Sequence, residues 1–518
     1  MRAWQWRWWW PNAELLDLAG DMLSAHSADA VRAAEQPLLD ALPDGALMAR
    51  AVAGLSAVCA ARLGRVYGRR VAVLAGSGNN GGDALYAAAR LAARGARVDA
   101  LLLGQRWHWA AGEALVRAGG RLHPVDTATA DARLLLDRAD LVLDGLLGIG
   151  GRGGLREPAS SLVAGLDSAR VVAVDCPSGV DADTGAVPGR AVRAATTVTF
   201  GSSKPGLLVN PGAEYAGELV LVPIGLELPE PDLTALEAVD VAARMPIPDR
   251  ESSKYTRGVL GLVAGSNAYP GAAVLSSGGA VRGGAGYVRF VSVAHPAELV
   301  RLRHPEVVVT EVEPGDAQGV LGAGRVQAWA VGPGMGTDED STAVVTAILA
   351  TELPVLVDAD AITIVANSPE LLRRDAPTLV TPHEGEFVRL VGGALGQDED
   401  ELRRRLADDR LGTVRAAAAE LGVTVLLKGT TTLVVDPVGR ARVNTTGTGW
   451  LATAGSGDVL TGLAGSLLAG GLDPLDAGSV GAWIHGRAGS LAPPPVASLD
   501  LLGTLTAAWA EARDAGQA

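Results

Sequence analysis

The stretch that decides the fold is VAVLAGSGNNGGDALYAAARLAARG, residues 71–95. Small apolar residues end at Gly76, and glycine, asparagine and aspartate lead directly into an alanine-rich helical stretch. A buried strand, a glycine loop and a helix in succession form the opening unit of a doubly wound α/β domain. The bare glycine spacing of a dinucleotide fingerprint is present, but the acidic residue at the end of the next strand and a Walker lysine are both missing. Asn79, Asn80 and Asp83 therefore require an explanation of their own.

Apolar runs separated by helical segments occur both before and after residues 226–252, where the composition changes. VDALLLG, LVLDGLLG, VVAVDCPSG, ATTVTFG and ELVLVPIG follow the opening strand, and a second series begins at GVLGLVAGS. Such runs are typical of parallel strands buried on both faces. The sequence predicts an α/β protein with a Rossmann-like doubly wound domain at residues 31–225 and a second α/β domain at residues 253–518. The Pro-, Glu- and Asp-rich residues 226–252 are predicted to be a linker, and residues 1–30 a Trp-rich leader without an assigned role.

Composition excludes several classes of protein. The chain has 518 residues and a formal net charge of −14, which favours two or more domains and excludes nucleic-acid binding through a basic surface. Cys59 and Cys176 are the two cysteines, so we expect no disulfide framework and a cytoplasmic location. The opening MRAWQWRWWW lacks the aliphatic core of a signal peptide; a disordered leader or misplaced start is favoured over an interfacial anchor. The uncharged run 258–281 contains Asn267 and Pro270, so it indicates strand, loop and helix rather than a membrane span.

Three strand ends of the first domain carry oxygen-bearing side chains. Asn80, Asp144 and Ser178 follow different predicted strands, and the carboxyl ends of parallel strands meet at one edge of a sheet. Oxygen donors suit a hard cation, and a single carboxylate suits a monovalent ion. Each residue is also a common turn former. The three together favour a cation site.

The second domain carries a pattern suited to phosphoryl transfer. In ATAGSGDVLTGLAG, residues 452–465, Gly455 and Gly457 precede Asp458 and an apolar helix. A helix N-terminus attracts anions, and an aspartate there can take a proton from an attacking hydroxyl. An ordinary N-cap aspartate would give the same local pattern. Three further strand ends, VGPGMG, LVTPHEGE and LLKGTTT, add candidate ligand groups at the same edge of the predicted sheet.

The segments GPGMG, TPHEGE, KGTTT and TAGSGDVLTG, in this order, resemble the ADP/ATP-dependent NAD(P)H-hydrate dehydratases of the ribokinase-like superfamily. The resemblance extends from about Ser253 to the C-terminus. It implies that Asp458 deprotonates the hydroxyl of the hydrated nicotinamide ring, with ADP as the phosphoryl donor and magnesium bound with it. It also implies a hydrate site and a nucleotide site. The hydrate site would comprise Ala272, Gly334, His383 and Asp458, and the nucleotide site Lys428, Gly429, Thr430, Thr431, Thr432 and Gly457.

The segments GNNGGDAL, DGLLGIGGRG and VDCPSGVDADTG resemble NAD(P)H-hydrate epimerases, from about Val31 to Gly225. The resemblance implies a potassium ion held by Asn80, Asp144 and Ser178, and Asp175 as the proton-transfer group. The substrate contacts that it implies are Asn79, Asn80, Gly81, Gly82, Asp83, Gly148, Ile149, Gly150, Gly151, Arg152, Gly153, Gly154 and Asp175. Ile149 departs from the threonine common in the family, which removes a hydroxyl from the second loop. Lys204 is expected to be an exposed turn residue, either facing the substrate or without a role.

Together the two resemblances imply a bifunctional enzyme that repairs hydrated NADH and NADPH. The first domain would interconvert the R and S hydrates, and the second would dehydrate the S form with ADP. We expect a homo-oligomer with small-molecule substrates and no nucleic-acid or membrane partner. Two alternatives remain: a small-metabolite kinase with a regulatory dinucleotide-binding domain, and a non-catalytic dinucleotide-binding protein.

Overall fold

The computed structural model describes residues 22–104 and 106–517, and its contacts divide the chain into two compact units. The N-terminal unit contains Ser24–Leu233, together with Ala407–Arg410. The C-terminal unit contains Thr234–Leu406 and the chain from Leu411 onward. Most of the predicted Trp-rich leader lies outside the described residues. The short strands β1 (Leu23–Ala25) and β9 (Leu233–Ala235) span the positions where the chain passes from one unit to the other.

A parallel sheet with the order β4-β3-β2-β5-β6-β7-β8 forms the centre of the N-terminal unit. The order reverses next to β2, as the predicted doubly wound topology requires. The strands are β2 (Arg70–Ala75), β3 (Arg97–Leu103), β4 (Arg121–Val125), β5 (Leu141–Gly145), β6 (Val171–Val174), β7 (Thr196–Phe200) and β8 (Glu218–Val222).

Helices cover both faces of this sheet, and one apolar cluster lies on each side. The helices are α1 (Ala28–Ala41), α2 (Ala46–Leu63), α3 (Asn79–Ala93), α4 (Trp109–Arg117), α5 (Ala130–Asp137), α6 (Ala159–Val163), α7 (Pro205–Leu208) and α8 (Ala213–Ala216). Among the described residues, α2 has the length and hydropathy of a membrane span. Core helices pass the same test, and Leu55 and Cys59 of α2 are fully buried in the core of this unit.

The C-terminal unit contains a larger sheet in which β18-β17-β16-β15-β14-β13-β10-β11-β12 are neighbours in that order. Strands β12 to β16 and β10 and β11 are parallel, and β17 is antiparallel to both of its neighbours. The strands are β10 (Val259–Val263), β11 (Tyr287–Ser292), β12 (Val308–Glu311), β13 (Ala328–Val331), β14 (Val355–Val357), β15 (Thr378–Val380), β16 (Thr424–Leu427), β17 (Thr432–Val435) and β18 (Ala441–Asn444).

Twelve helices of the described chain accompany this sheet, among which α18 is mostly buried and packs against α10 and α19. They are α9 (Ala238–Arg244), α10 (Pro270–Arg282), α11 (Ala294–Arg303), α12 (Ala317–Leu321), α13 (Glu339–Leu349), α14 (Asp360–Asn367), α15 (Glu384–Leu395), α16 (Glu399–Asp408), α17 (Arg410–Leu421), α18 (Ser456–Ala469), α19 (Pro474–Leu491) and α20 (Ser498–Ala515). The predicted fold class, two successive α/β domains, is confirmed, and the uncharged run 258–281 forms β10 and α10.

The segment predicted as a linker, residues 226–252, contains regular structure. Strand β9 and helix α9 lie within it. Leu236, Val241 and Met245 are buried in the apolar core of the C-terminal unit. Part of this segment therefore contributes to the packing of that unit.

Candidate active sites

The first glycine loop lies at the point where the strand order of the N-terminal sheet reverses. Gly76 follows β2, and α3 begins at Asn79. A Cβ on Gly76 would overlap the carbonyl oxygen of Leu146, which follows β5. Only glycine permits this close approach, which brings the loop against the end of the neighbouring strand. In open α/β sheets this crevice is where ligands bind.

Asn80, Asp144 and Ser178 meet around the backbone of Leu147. Asp144 accepts hydrogen bonds from Ser178, 2.6 Å from Oγ to Oδ1 and 2.8 Å from N to Oδ2. Leu147 N donates to Ser178 Oγ at 2.9 Å, and Asn80 Nδ2 donates to Leu147 O at 2.9 Å. The structure thus brings together the three predicted metal ligands, and a backbone carbonyl lies among them.

Asp144 has an environment suited to a bound cation. Its side chain is fully buried, and the groups that donate to it are the neutral Ser178 and the Leu146 backbone. Burial raises the pKa of Asp144 to about 6, although these hydrogen bonds oppose the shift. Buried carboxylates are ordinarily paired with a positive charge or coordinate a metal. A weakly charged ion among these oxygen atoms would supply that charge.

Asp175 forms a buried ion pair with Lys204. Asp175 follows β6 with a φ of +65°, a backbone conformation that a non-glycine residue adopts only under local constraint. Its Oδ1 atom lies 2.5 Å from Lys204 Nζ, and Lys204 also donates to Thr199 Oγ1 at 2.8 Å. The expectation of an exposed turn lysine is wrong: Lys204 has no exposed surface, because it reaches back from the N-terminus of α7 to the carboxylate.

Two further carboxylates face this ion pair. Asp83 is buried, and its Oδ1 atom has no hydrogen-bond partner among the described residues. Burial, and then the charges of Asp175 and Glu35, raise the pKa of Asp83 to about 8. Burial and the charge of Asp175 also raise the pKa of Glu35, on helix α1. The site therefore holds an ion pair and two groups with raised proton affinity.

The second glycine loop, residues 148–154, extends from the candidate cation site toward another loop. Gly148 lies against the side chain of Asn80, and Gly154 lies against Gly189. Arg32 of α1 donates to the carbonyl oxygen of Ile149 at 3.2 Å. The two glycine loops, which hold the predicted substrate residues, are therefore in contact where Gly148 meets Asn80.

In the C-terminal unit, Asp458 lies in the first turn of α18. Gly455, at φ +86°, is the N-cap of that helix and has no side chain to cap the N–H groups of the first turn. His485 lies with its Nε2 atom 2.9 Å from Ser456 O, and burial lowers its pKa to about 4. A neutral buried histidine therefore holds the first turn of α18 in place.

Asp458 has the proton affinity of a general base that works near neutral pH. Burial is the main cause that raises its pKa, to about 7. The charges of Asp358 and Asp360 also raise it, while Lys428 lowers it. A positioned carboxylate with a pKa near the working pH suits proton transfer.

Lys428 connects the end of β16 to this helix terminus. Its Nζ atom lies 2.8 Å from Asp358 Oδ1 and 3.8 Å from Glu386 Oε2. It is also 3.5 Å from the position that a Cβ on Gly457 would occupy. Burial disfavours the ammonium ion, but the neighbouring acidic groups outweigh burial and raise the pKa of Lys428. The predicted nucleotide residues Lys428 and Gly457 are thus adjacent.

The remaining predicted residues of this unit lie on neighbouring strand ends. Gly334 packs directly against Ala272, at the start of α10. His383 is largely exposed, and its Nδ1 atom caps α15 by accepting from Gly385 N at 3.0 Å. In the KGTTT segment, Gly429 and Thr430 are exposed and Thr431 is buried, while Thr432 opens β17.

Comparisons with known proteins match both units. The family described as YjeF-related protein N-terminus matches residues 44–206, and the NAD(P)H-hydrate dehydratase family matches residues 260–502. A bifunctional NAD(P)H-hydrate repair enzyme of Mycobacterium tuberculosis is 48% identical over 436 residues, covering 82% of this chain and 85% of the relative. The chain belongs to the bifunctional NAD(P)H-hydrate repair enzymes.

Two further relatives are similar to this repair enzyme. The bifunctional repair enzyme of Mycobacterium leprae is 46% identical over 475 residues, covering 90% of this chain and 93% of the relative. A Bacillus subtilis ADP/ATP-dependent NAD(P)H-hydrate dehydratase crystallised with ATP and Mg²⁺ is 29% identical, with a TM-score of 0.47. It covers 54% of this chain and 98% of its own.

Sequence reasoning about this repair enzyme missed several residues of the two sites. Glu35 in the first site and Asp358 in the second are absent from the predicted set, although each interacts with a predicted catalytic aspartate. Lys204 was named, but as an exposed turn residue and not as the partner of Asp175. Asp358 directly follows an apolar strand in the segment PVLVDADAI, which is the signal that could have found it. Glu35 lies in a helix remote in sequence, and no local pattern marks it.

Proposed function

We propose that this repair enzyme epimerises the R and S hydrates of NADH and NADPH in its N-terminal unit and dehydrates the S hydrate with ADP in its C-terminal unit. The observation that carries the proposal is that each unit has its own acid–base centre at the carboxyl ends of a parallel sheet. Asp175 lies beside Lys204 in one unit, and Asp458 lies at the N-terminus of α18 in the other.

In the dehydration, Asp458 takes the proton of the ring hydroxyl as that oxygen attacks the β-phosphorus of ADP. The bond to the bridging oxygen breaks, AMP leaves, and the hydrate becomes a phosphate ester. Phosphate then leaves with the bonding electrons of the carbon–oxygen bond, and a proton leaves the adjacent ring carbon, which restores the double bond. The N–H groups of the first turn of α18 and the Lys428 ammonium stabilise the negative charge that develops on the transferred group.

The nucleotide would lie along Lys428–Thr432 and Gly457, and the hydrate against Ala272, Gly334 and His383. Magnesium would arrive with the phosphates, whose charge it neutralises in phosphoryl transfer. Among residues 22–104 and 106–517, no group of three or more His, Cys, Asp or Glu side chains is arranged to hold a metal ion. Magnesium that is bound mainly through phosphates and water needs no such protein cage.

In the epimerisation, the ring carbon that carries the hydroxyl is also bonded to the ring nitrogen, and its configuration inverts when the bond to the hydroxyl oxygen breaks and re-forms on the other face. A proton must be given to that oxygen as water leaves and taken back from it as water returns. Asp175 is proposed to transfer that proton. Lys204 holds the Asp175 carboxylate in one orientation, and Thr199 accepts a second hydrogen bond from the same ammonium. The residues 79–83 and 148–154 would contact the rest of the hydrated dinucleotide.

Potassium would be held by Asn80, Asp144 and Ser178. These side chains share hydrogen bonds around Leu147, and the buried Asp144 is surrounded by neutral donors. Bound there, the ion would supply a positive charge beside the first glycine loop. The neutral and singly charged donors suit a monovalent ion better than magnesium, which requires tight octahedral geometry.

The experiment is to incubate the purified enzyme with a mixture of R and S hydrates, with ADP in one series and ATP in another, and to separate both epimers and the reduced cofactor by chromatography. Complete conversion of both epimers to reduced cofactor requires both activities. If only the S form is consumed and the R form disappears no faster than by spontaneous epimerisation, the N-terminal unit is not an epimerase. A stable phosphorylated product would instead favour a small-metabolite kinase.

A further inference from the structure

The turn after β14 carries two carboxylates that take part in no step described above. It consists of Asp358, Ala359 and Asp360, and Ala359 has a φ of +50°. Among the described residues, the other non-glycine residue with a positive φ is Asp175, in the N-terminal site. Such strain, roughly 1–3 kcal/mol, persists where surrounding contacts hold it and is common at functional sites. The contacts of the two carboxylates show what holds this turn.

Asp358 joins two elements of the dehydratase site. Its side chain is buried, with 1% of its surface exposed. Oδ1 accepts from Lys428 Nζ at 2.8 Å, and Oδ2 accepts from Thr461 Oγ1 at 2.5 Å. Thr461 is one turn beyond Asp458 on α18. One carboxylate therefore binds both the lysine at the end of β16 and the helix that carries the proposed base.

Asp360 fixes the other side of the turn. Its Oδ2 atom accepts from Gly336 N at 2.9 Å, at the end of the glycine segment that follows β13. Because this bond anchors the turn to the next strand end, the direction of the Asp358 side chain is set by the backbone as well as by its own partners.

We propose that Asp358 is a positioning residue of the dehydratase reaction, whose carboxylate directs the Lys428 ammonium toward the N-terminus of α18 and, through Thr461, fixes the helix that carries Asp458. This inference rests on the proposed dehydratase function. The negative charge of Asp358 also raises the pKa of Asp458. Neutralising Asp358 should therefore change both the rate and the pH at which the base becomes active.

The test compares three variants with the wild-type enzyme, using the S hydrate with ADP from pH 5.5 to 8.5. Asp358→Asn keeps the shape of the side chain and removes its charge. Thr461→Val removes the hydrogen bond between α18 and Asp358 but removes no charge. Asp436→Asn is the matched control, because Asp436 is also buried and paired, with Arg440, but lies at the end of β17 remote from the end of β16 where Lys428 stands.

In Asp358→Asn, kcat should fall about tenfold or more, since small displacements of reacting groups carry effects of that size. The acidic limb of its kcat/KM profile should move to lower pH. Thr461→Val should lower kcat less and leave the limb in place, and Asp436→Asn should change neither. Wild-type kcat and an unmoved limb in a folded Asp358→Asn would overturn the inference.

Two outcomes need separate treatment. If Asp358→Asn shows no cooperative melting transition, Thr461→Val decides: a threefold or larger loss of kcat at an unchanged Tm supports the inference, and wild-type kcat overturns it. If the wild-type enzyme does not consume the S hydrate with ADP, the proposed function fails rather than the role of Asp358. The two failures are therefore distinguishable.

Discussion

Lys204 Nζ lies 2.5 Å from Asp175 Oδ1, and the lysine side chain has no exposed surface. Burying a lysine side chain is costly unless it is paired, and here the carboxylate is its partner. The pair joins the backbone after β6 to the N-terminus of α7, and it places a charged hydrogen-bond donor on the residue proposed to move the proton. The N-terminal site therefore contains a buried ion pair in addition to its glycine-rich loops.

Replacing Lys204 with Met should abolish most epimerisation and destabilise the N-terminal unit. Removal of one partner from a buried ion pair is destabilising by about 3–5 kcal/mol, because the remaining charge is left uncompensated. Urea unfolding measures the stability, and chromatographic separation of the epimers measures the activity. The double variant Lys204→Met with Asp175→Asn should regain stability without regaining activity. Epimerisation at the wild-type rate in the single variant would contradict the assigned role.

The dehydratase rate should rise between pH 6 and pH 8. Asp458 must be ionised to accept a proton, and its pKa is raised to about 7, so the protonated, inactive form predominates below that pH. The kcat/KM of the free enzyme, measured with the S hydrate and ADP, should show an acidic limb near pH 7. An acidic limb near pH 4, the ordinary range of an aspartate, would show that burial does not raise the pKa of Asp458.

Asp144→Ala should weaken cation binding, loosen the first glycine loop and lower epimerase activity. The ADP-dependent activity should remain, since that chemistry is proposed for the other unit. An anomalous-scattering map from crystals soaked in rubidium or thallium provides the measurement. A wild-type map without a peak between Asn80, Asp144 and Ser178 would refute the cation site, and substrate contacts alone would then have to explain the asparagines.

A fragment beginning at Asp232 should fold and dehydrate the S hydrate, whereas one beginning at Asp249 should be less stable. The shorter fragment lacks α9, whose Val241 is fully buried and which packs on α20. Burial of an aliphatic side chain stabilises by about 1.5–3 kcal/mol, so a loss of several kcal/mol is expected. Thermal melting of both fragments tests this. Equal Tm values would show that α9 contributes little.

The strands at the centre of both sheets were predictable from the sequence, and so was the edge strand β8, whereas the edge strands β4 and β12 were not. The strands β2, β5 and β6 are largely apolar because both of their faces are covered. β4 and β12 lie at sheet edges, and both have largely half-exposed or exposed residues. Their sequences therefore lack the apolar run by which the inner strands were recognised.

The same distinction applies to the site residues. Asp144 and Asp458 adjoin glycine loops at strand or helix ends, where local sequence indicates a site. Lys204 was misjudged because a lysine in a glycine- and serine-rich turn is ordinarily solvated, and only the fold brings it to Asp175. Contacts between elements distant in sequence have no local signature, so Glu35 and the full environment of Asp358 required the structure.

The most direct test of two independent active centres is a mixing experiment with Asp175→Asn and Asp458→Asn. Each variant is incubated alone with R and S hydrates and ADP, for a time short compared with spontaneous epimerisation, and reduced cofactor is measured. Asp175→Asn should recover only the S fraction, Asp458→Asn should recover almost none, since a positioned base contributes about 10²–10⁴ in rate, and an equimolar mixture should recover both fractions. Full recovery by either variant alone, or a mixture no better than Asp175→Asn, would contradict the account.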